Sequence, residues 1–291
     1  MRSLLFVPGD SDRKLAKSTG AGADCILIDL EDSVAPAGKA AARGMVAEFL
    51  RGHPANERKT PFYVRINDLA SGLAEDDLAA VVSACPDGIM LPKAGSAAAI
   101  HHVSRLMEPL ERESGLAAGT LKMVVLAFET PQGVLNAASF AECDPRVVAL
   151  TWGGEDMAAA LGAKANKDGG DWTPPMELAR NLCLHAAAAA EVAAIDTVFV
   201  DFRDPEGLAR ECARASRDGF AGKLAIHPDQ VVIINRSFSP SPEEIDLANK
   251  IVSAFEAQPD AGVLNIEGRM FDQPHLKKAR RTLQRAKAVR P

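Results

Sequence analysis

The chain is 291 residues long, carries a formal net charge of −6, and is 47% apolar but only 5% aromatic. That length admits one large α/β domain or two average ones, and an apolar share rich in Ala, Val, Leu and Ile suits parallel strands covered by alanine-rich helices. The acidic balance excludes a general phosphate-backbone binder, so no nucleic-acid partner is expected, although the C-terminal end holds a local basic cluster.

In chain order, short apolar or β-branched runs occur at 3–7, 25–30, 62–67, 88–91, 123–128, 147–152, 197–200 and 223–226, which makes eight candidate strands. Helical composition fills the intervals at 11–21, 38–51, 96–113, 174–193 and 205–216. Several runs are continuously apolar, as expected when both faces of a parallel sheet are buried. Eight strand–helix units predict an α/β fold, a (β/α)8 TIM barrel. The alternative is a doubly wound open sheet, but the first turn reads Val7-Pro-Gly-Asp-Ser-Asp where that fold places a G-x-G-x-x-G loop.

After the eighth run the spacing predicts a helix over 241–257, opened by Ser241-Pro-Glu-Glu, then a loop and a basic helix over 274–289. Residues 1–235 are therefore expected to form a catalytic barrel domain and 236–291 a C-terminal helical extension. A barrel needs no such tail; it either packs beneath the barrel or covers a mouth, which could be a neighbouring subunit's. Cys25, Cys85, Cys143, Cys183 and Cys212 are scattered and odd in number with no C-x-x-C spacing, so neither disulfides nor a zinc site is expected. The first apolar run is stopped by Pro8-Gly9-Asp10 and nowhere do about eighteen apolar residues run together, so no signal peptide or membrane span is expected and the cytoplasm is the expected location.

In a parallel barrel the reactive groups sit where strands end and βα loops begin. The residues there are Asp29-Leu-Glu-Asp, Arg65-Ile-Asn-Asp, Pro92-Lys93, Glu129-Thr, Gly154-Glu-Asp, Asp201 and His227-Pro. Most of the charges are acidic, which is costly around one mouth unless a cation neutralises them. Oxygen ligands without clustered His or Cys favour a hard divalent ion such as Mg2+. For any one acid alone, capping the following helix is an equally good account.

The ordered pieces Arg2-Ser-Leu-Leu-Phe-Val-Pro-Gly, Ile28-Asp-Leu-Glu-Asp-Ser-Val-Ala-Pro, Val64-Arg-Ile-Asn, Leu91-Pro-Lys, Glu129-Thr, Trp152-Gly-Gly-Glu-Asp-Met, Ile226-His-Pro-Asp-Gln and Gly268-Arg-Met-Phe-Asp-Gln-Pro span nearly the whole chain. In them the chain resembles the citrate lyase β-subunit-like branch of the HpcH/HpaI aldolase superfamily. The resemblance implies a (β/α)8 barrel, a homotrimer or a multiple of one, that binds Mg2+ and acts on a thioester of coenzyme A or acyl-carrier protein. It places the metal carboxylates on Glu129 and Asp156, the substrate-binding arginine on Arg65, and on Asp272 an acid/base delivered by a neighbouring subunit. The family more often reads Gly-Ala-Glu-Asp-Leu where this chain has Gly153-Gly154-Glu155-Asp156-Met157.

These residue types suit cleavage or formation of a carbon–carbon bond between an acyl-CoA and a 2-oxo acid, on a malyl-, citramalyl- or citryl-type compound. Arg65 then pairs with a substrate carboxylate or the enolate oxygen, and Gly153 and Gly154 let the backbone approach the 2-oxo acid and offer amide donors, with Glu155 beside it. Glu31 and Asp32 are expected behind these groups, ordering waters or Arg65. Asn67 either meets substrate or closes its turn, Lys93 is expected to make a structural ion pair, and His227 to pack within its loop. Arg2, Arg13, Lys14, Lys39 and Arg43 are weak candidates for the CoA phosphates. Hydrolysis of a malyl-type thioester, and service as a citrate lyase subunit needing a carrier protein, are the competing readings.

Overall fold

The computed structural model describes residues 1–288. In chain order they form β1 (Ser3–Pro8), α1 (Asp12–Ser18), β2 (Cys25–Asp29), α2 (Lys39–Arg51), β3 (Phe62–Arg65), α3 (Ala74–Val82), β4 (Gly88–Leu91), α4 (Ala97–Glu113), β5 (Lys122–Phe128), α5 (Pro131–Leu135), β6 (Val147–Trp152) and α6 (Gly154–Leu161). Then come the two-residue strands β7 (Lys167–Asp168) and β8 (Asp171–Trp172), followed by α7 (Pro174–Ala189), β9 (Ala193–Asp196), α8 (Pro205–Asp218), β10 (Gly222–Ala225), α9 (Pro228–Phe238), α10 (Pro242–Ala257), β11 (Val263–Ile266), β12 (Arg269–Asp272) and α11 (Gln273–Ala288). Val289, the last residue of the expected terminal helix, lies outside the described residues.

Strands β1–β6, β9 and β10 pair in parallel and close as β1-β10-β9-β6-β5-β4-β3-β2, the expected (β/α)8 barrel. Every one of them contributes to a single buried cluster, including Leu4, Leu27, Tyr63, Met90, Val124, Ala149, Ile195 and Leu224. The alternate residues face the helices, so all five residues of β2 are buried, which is why these runs carry no polar alternation. On α4 the buried Ile100, Val103 and Met107 recur at helical spacing and lay one face on the barrel. Full burial of each such side chain contributes about 1.5–3 kcal/mol relative to exposure.

The seventh barrel strand is Ala193–Asp196, not the expected 197–200. Its alanines read as a continuation of α7, but the helix ends at Ala189 and Glu191 takes a left-handed φ of 57° that turns the chain. Pairing decides the rest: Ala193–Ile195 align with Ala149–Thr151 of β6, and Ile195–Asp196 with Gly222–Lys223 of β10. The β-branched 197–200 segment becomes the following loop. Helices α3, α5, α6 and α9 also lay unmarked by the sequence periodicity.

By contact the described chain divides into Met1–Ser237 and a second unit beginning at Phe238. Within the second, Ser241 and Glu244 cap α10 reciprocally, and the segment expected as a loop is a β11–β12 hairpin turning at Glu267 and Gly268, with φ of 52° and 78°. Ile251, Phe255, Leu264, Phe271 and Leu276 form its own small core.

A buried ion pair ties α4 to the entry of β6. Arg146 donates to both oxygens of Glu111 at 2.7 Å and to Ser104 at 2.9 Å, and Glu111 also accepts from the Gly119 and Leu121 amides. Burial pushes the Glu111 carboxyl up, but these donors outweigh it and hold it below the usual range. The unfolded chain therefore takes up this proton first as pH falls, so the pair's stabilisation is complete above about pH 4.3 and is lost below it. Glu111→Gln leaves Arg146 buried and unpaired and is expected to cost about 3–5 kcal/mol at pH 7. Urea unfolding at pH 7 and pH 4 should also show a flatter pH dependence in the variant than in the wild type.

Candidate active site

A cavity of about 410 Å³ opens at the carboxyl ends of the barrel strands. Asp29, Asp32, Arg65, Glu129, Gly153, Gly154, Glu155 and Asp156 line it, over an apolar floor of Phe6, Leu126, Trp152, Val198 and Leu224. A larger groove of about 670 Å³ runs along α11, but only that helix's residues line it and none is acidic, so the chemistry belongs to the barrel mouth.

Arg65, at the last position of β3, is 8% exposed. Its Nε and Nη2 pair with the two oxygens of Asp29, each at 2.7 Å. Asp29 also accepts from the Glu31 and Ser33 amides. Burial raises the Asp29 carboxyl, but Arg65 more than reverses this and holds it low. The bidentate pair fixes the guanidinium plane, 4.7 Å above the Phe6 ring, and turns Nη1 toward Glu31 Oε2 (2.9 Å) and Asp32 Oδ2 (3.3 Å). The Glu31 contact is off the hydrogen-bonding axis, so Oε2 has charge attraction but no hydrogen-bond partner. Asp29, to which the sequence reading assigned no role, is what orients Arg65.

Lys93 links the remaining acids. Its backbone lies in the left-handed region (φ 50°), an uncommon conformation for a side chain with a Cβ. There its amide donates to Glu129 Oε1 at 2.5 Å. Its Nζ pairs with Glu31 at 2.7 Å and lies 3.7 Å from both Asp32 and Asp156. Burial pushes the Glu31 carboxyl up to about 7 against the pull of Arg65 and Lys93. Glu129 is 2% exposed; burial first, and then the charge of Asp156, drive its carboxyl well above the usual range.

A buried carboxylate whose ionisation is opposed by a neighbouring carboxylate beside one cavity is where a cation is most favourable. Among the described residues no three His, Cys, Asp or Glu side chains converge as a metal cluster. Glu129 and Asp156 offer carboxylate oxygens of the kind Mg2+ takes, one or two per ion with water or substrate oxygens completing the shell.

Close approaches on both sides of the turn after β6 require its two glycines, Gly153 against the end of β5 and Gly154 against the β7–β8 hairpin. A Cβ at Gly153 would lie 2.9 Å from Glu129 Cβ, and one at Gly154 would lie 2.9 Å from the Trp172 ring. The Gly153 amide donates to Phe128 O at 3.3 Å, so it is engaged within the barrel instead of serving substrate as expected. Glu155 Oε1 accepts from Asn166 at 2.7 Å, while Asp156 turns toward Lys93.

The structure does not gather all the expected residues. Arg2 precedes β1, at the end of the barrel opposite the mouth, and pairs with Asp24, which removes it from the CoA candidates. Lys39 donates to the Leu30 and Glu31 carbonyls, and Arg43 pairs with Asp76 and Asp77, so both hold the βα2 region together. Arg13 and Lys14 are exposed on the first turn of α1, past the carboxyl end of β1. Asn67 donates to Asp77 and closes its turn. His227 stacks on Phe202 at 5.0 Å. Asp201 lies five residues beyond the end of β9. In the second unit, Asp272 ends β12 half-exposed, its Oδ1 2.5 Å from His275 Nδ1, a pairing that holds its carboxyl low. His275, three residues on in the first turn of α11, was missed in sequence. So was the β7–β8 hairpin, although Asp168-Gly-Gly-Asp is a hairpin signature.

Residues 2–228 match the family described as HpcH/HpaI aldolase/citrate lyase. The citrate lyase subunit beta of Leuconostoc mesenteroides subsp. cremoris is 35% identical, covering 99% of this chain and 93% of its own. A (3S)-malyl-CoA thioesterase of Cereibacter sphaeroides is 37% identical, covering 99% and 95%. The crystal structure of CitE from Mycobacterium tuberculosis in complex with magnesium, acetoacetate and coenzyme A aligns over 98% of both chains, at 33% identity and a TM-score of 0.78. With a barrel closed as expected and a family match over most of its length, the chain belongs to the HpcH/HpaI aldolase/citrate lyase family.

Proposed function

We propose that this protein is a Mg2+-dependent carbon–carbon lyase, or synthase in the reverse direction. Its substrate is a CoA thioester of a 3-hydroxy di- or tricarboxylic acid of malyl, citramalyl or citryl type, and its products are an acyl-CoA and a 2-oxo acid. The observation that carries this reading is the buried Glu129, destabilised as an anion by Asp156, on the same cavity as an oriented Arg65. Magnesium, acetoacetate and coenzyme A bound together in the M. tuberculosis relative support it.

Glu129 and Asp156 would hold the ion, and Mg2+ there supplies a Lewis acid that lowers the pKa of the substrate hydroxyl. Arg65 needs no reorganisation: Asp29 fixes two of its nitrogens, and the face turned to the cavity can meet a substrate carboxylate or the thioester enolate oxygen as the bond breaks. The apolar floor of Phe6, Leu126 and Val198 keeps water from the reacting carbons. Asp272, brought by a neighbouring copy in a homotrimer or a multiple of one, returns a proton to the enolate carbon and removes it in condensation. Arg13 and Lys14 are the cations best placed for the CoA phosphates. Glu31 and Asp32 act by holding Lys93 and Arg65, and five free thiols suit a reducing compartment such as the cytoplasm.

The test is incubation with Mg2+ and malyl-, citramalyl- and citryl-CoA, with products read by mass. An acyl-CoA and a 2-oxo acid are expected, and chelation should abolish both. Release of the intact hydroxy acid and free CoA would instead assign the thioesterase activity of the 37% identical relative. Turnover only of a carrier-protein thioester would make the chain a citrate lyase subunit.

A further inference from the structure

Trp152 and Trp172 are the chain's two tryptophans. They meet edge to face, with ring centroids 4.8 Å apart and planes at 75°. Each also ends a series of charged groups. Trp152 Nε1 donates to Asp196 Oδ1 at 2.8 Å; Lys223 Nζ donates to Asp196 Oδ2 at 2.7 Å and to Glu211 Oε1 at 2.6 Å. Glu211 Oε2 in turn accepts from Lys167, whose Nζ lies 4.1 Å from the centroid of the Trp172 ring. The side chains of Trp152, Asp196, Lys223, Glu211, Lys167 and Trp172 thus close a ring that joins β6, β9, β10, α8 and the β7–β8 hairpin.

Asp196 and Lys223 in this ring are fully buried. Replacing a buried ion pair with packed hydrophobic residues is often neutral or stabilising, so stability alone does not account for it. What it does determine is geometry. The ring runs behind the turn Gly153-Gly154-Glu155-Asp156, and a Cβ at Gly154 would lie 2.9 Å from Trp172 and 3.4 Å from Trp152, so the two indoles rest directly on that backbone. A second tie, Asn166 to Glu155 at 2.7 Å, joins the hairpin's approach to the first turn of α6.

We propose that the 166–172 hairpin is a positioning element for this site: Trp172 on Gly154, held by Lys167, and Asn166 on Glu155 fix the turn that presents Asp156 to the cavity. No hairpin residue is assigned a step in the reaction. This rests on the reading of Asp156 as a metal carboxylate.

The experiment is Mg2+ titration of the full-length protein by calorimetry and by intrinsic fluorescence, with kcat and KM measured beside it. The variants are Lys167→Met, Trp172→Leu, Gly154→Ala and the Gly154→Ala/Trp172→Leu double. Lys167 is partly exposed, and its loss leaves Glu211 paired with Lys223, so Lys167→Met keeps the test valid if Trp172→Leu fails to fold. Each single variant should weaken Mg2+ binding and lower kcat about 10- to 100-fold, with KM for the thioester changing less. The double should be no worse than Trp172→Leu alone, because the shorter side chain vacates the space that the methyl group added by Gly154→Ala needs. Unchanged Mg2+ affinity in a folded Lys167→Met variant, or additive losses in the double, would overturn the proposal. A wild type that binds Mg2+ but turns over no thioester sinks the functional reading alone, since the titration still reads the hairpin. A wild type without a Mg2+ site sinks both.

Discussion

Asp156→Asn is expected to weaken Mg2+ binding by more than about 100-fold and to remove nearly all turnover, whereas Glu155→Gln should bind Mg2+ within a few-fold of wild type. The loss exceeds that caused by outer groups, which is about 10- to 100-fold, because in the proposed site Asp156 is a direct charged ligand. The adjacent acids differ through helix geometry: at the first turn of α6, successive side chains diverge by about 100°. Asp156 faces Lys93 and the cavity, while Glu155 faces Asn166, and the amide oxygen introduced by Glu155→Gln can still accept that hydrogen bond. Asp156→Asn also removes the charge that opposes ionisation of Glu129. The metal-free variant should therefore unfold at a higher temperature than metal-free wild type even as it loses the ion. Calorimetric titration and thermal unfolding in chelator check both parts; the reverse assignment follows if Glu155→Gln loses Mg2+ and Asp156→Asn keeps it.

Asp272→Asn should leave Mg2+ affinity unchanged and reduce turnover about 10²- to 10⁴-fold, the range of general acid–base catalysis. The separation of effects follows from position: Asp272 belongs to the second unit, on its own hairpin and core, while the two proposed metal carboxylates belong to the barrel. His275→Ala removes the group that holds Asp272 low but keeps the carboxylate, so its effect should be smaller. Single-turnover rates beside a Mg2+ titration decide the matter. Unchanged turnover in Asp272→Asn rejects the acid/base assignment.

The fold was legible where local pattern and tertiary burial agree. Strands such as 88–91 and 147–152 were bounded correctly because each is an apolar run closed by a polar or glycine turn. The seventh strand was not, since alanine serves helix and sheet interior alike and only pairing with β6 and β10 chooses 193–196 over the more β-branched 197–200. The two hairpins carried Gly-Gly and Glu-Gly turns, but β7 and β8 are only two residues each, and β11 (VLNI) and β12 (RMFD) are not the continuous apolar runs that mark the barrel strands.

For the site, sequence by itself determined the residue types and the strand ends they occupy, because a parallel barrel brings every carboxyl end to one face whatever the loops do. Arg65, Glu129 and Asp156 stood among those strand-end residues, the family resemblance singled them out, and they line one cavity. Tertiary structure alone decided how those groups are held. Asp29 fixes Arg65 from the neighbouring strand, 36 residues away, Lys93 turns left-handed to meet Glu129, and a ring running from Trp152 to Lys223 backs the turn that carries Asp156. The physical reason is that such contacts join residues distant in sequence through charge and hydrogen bonding in a buried setting. Their strength depends on burial and direction, and neither exists until the barrel has closed.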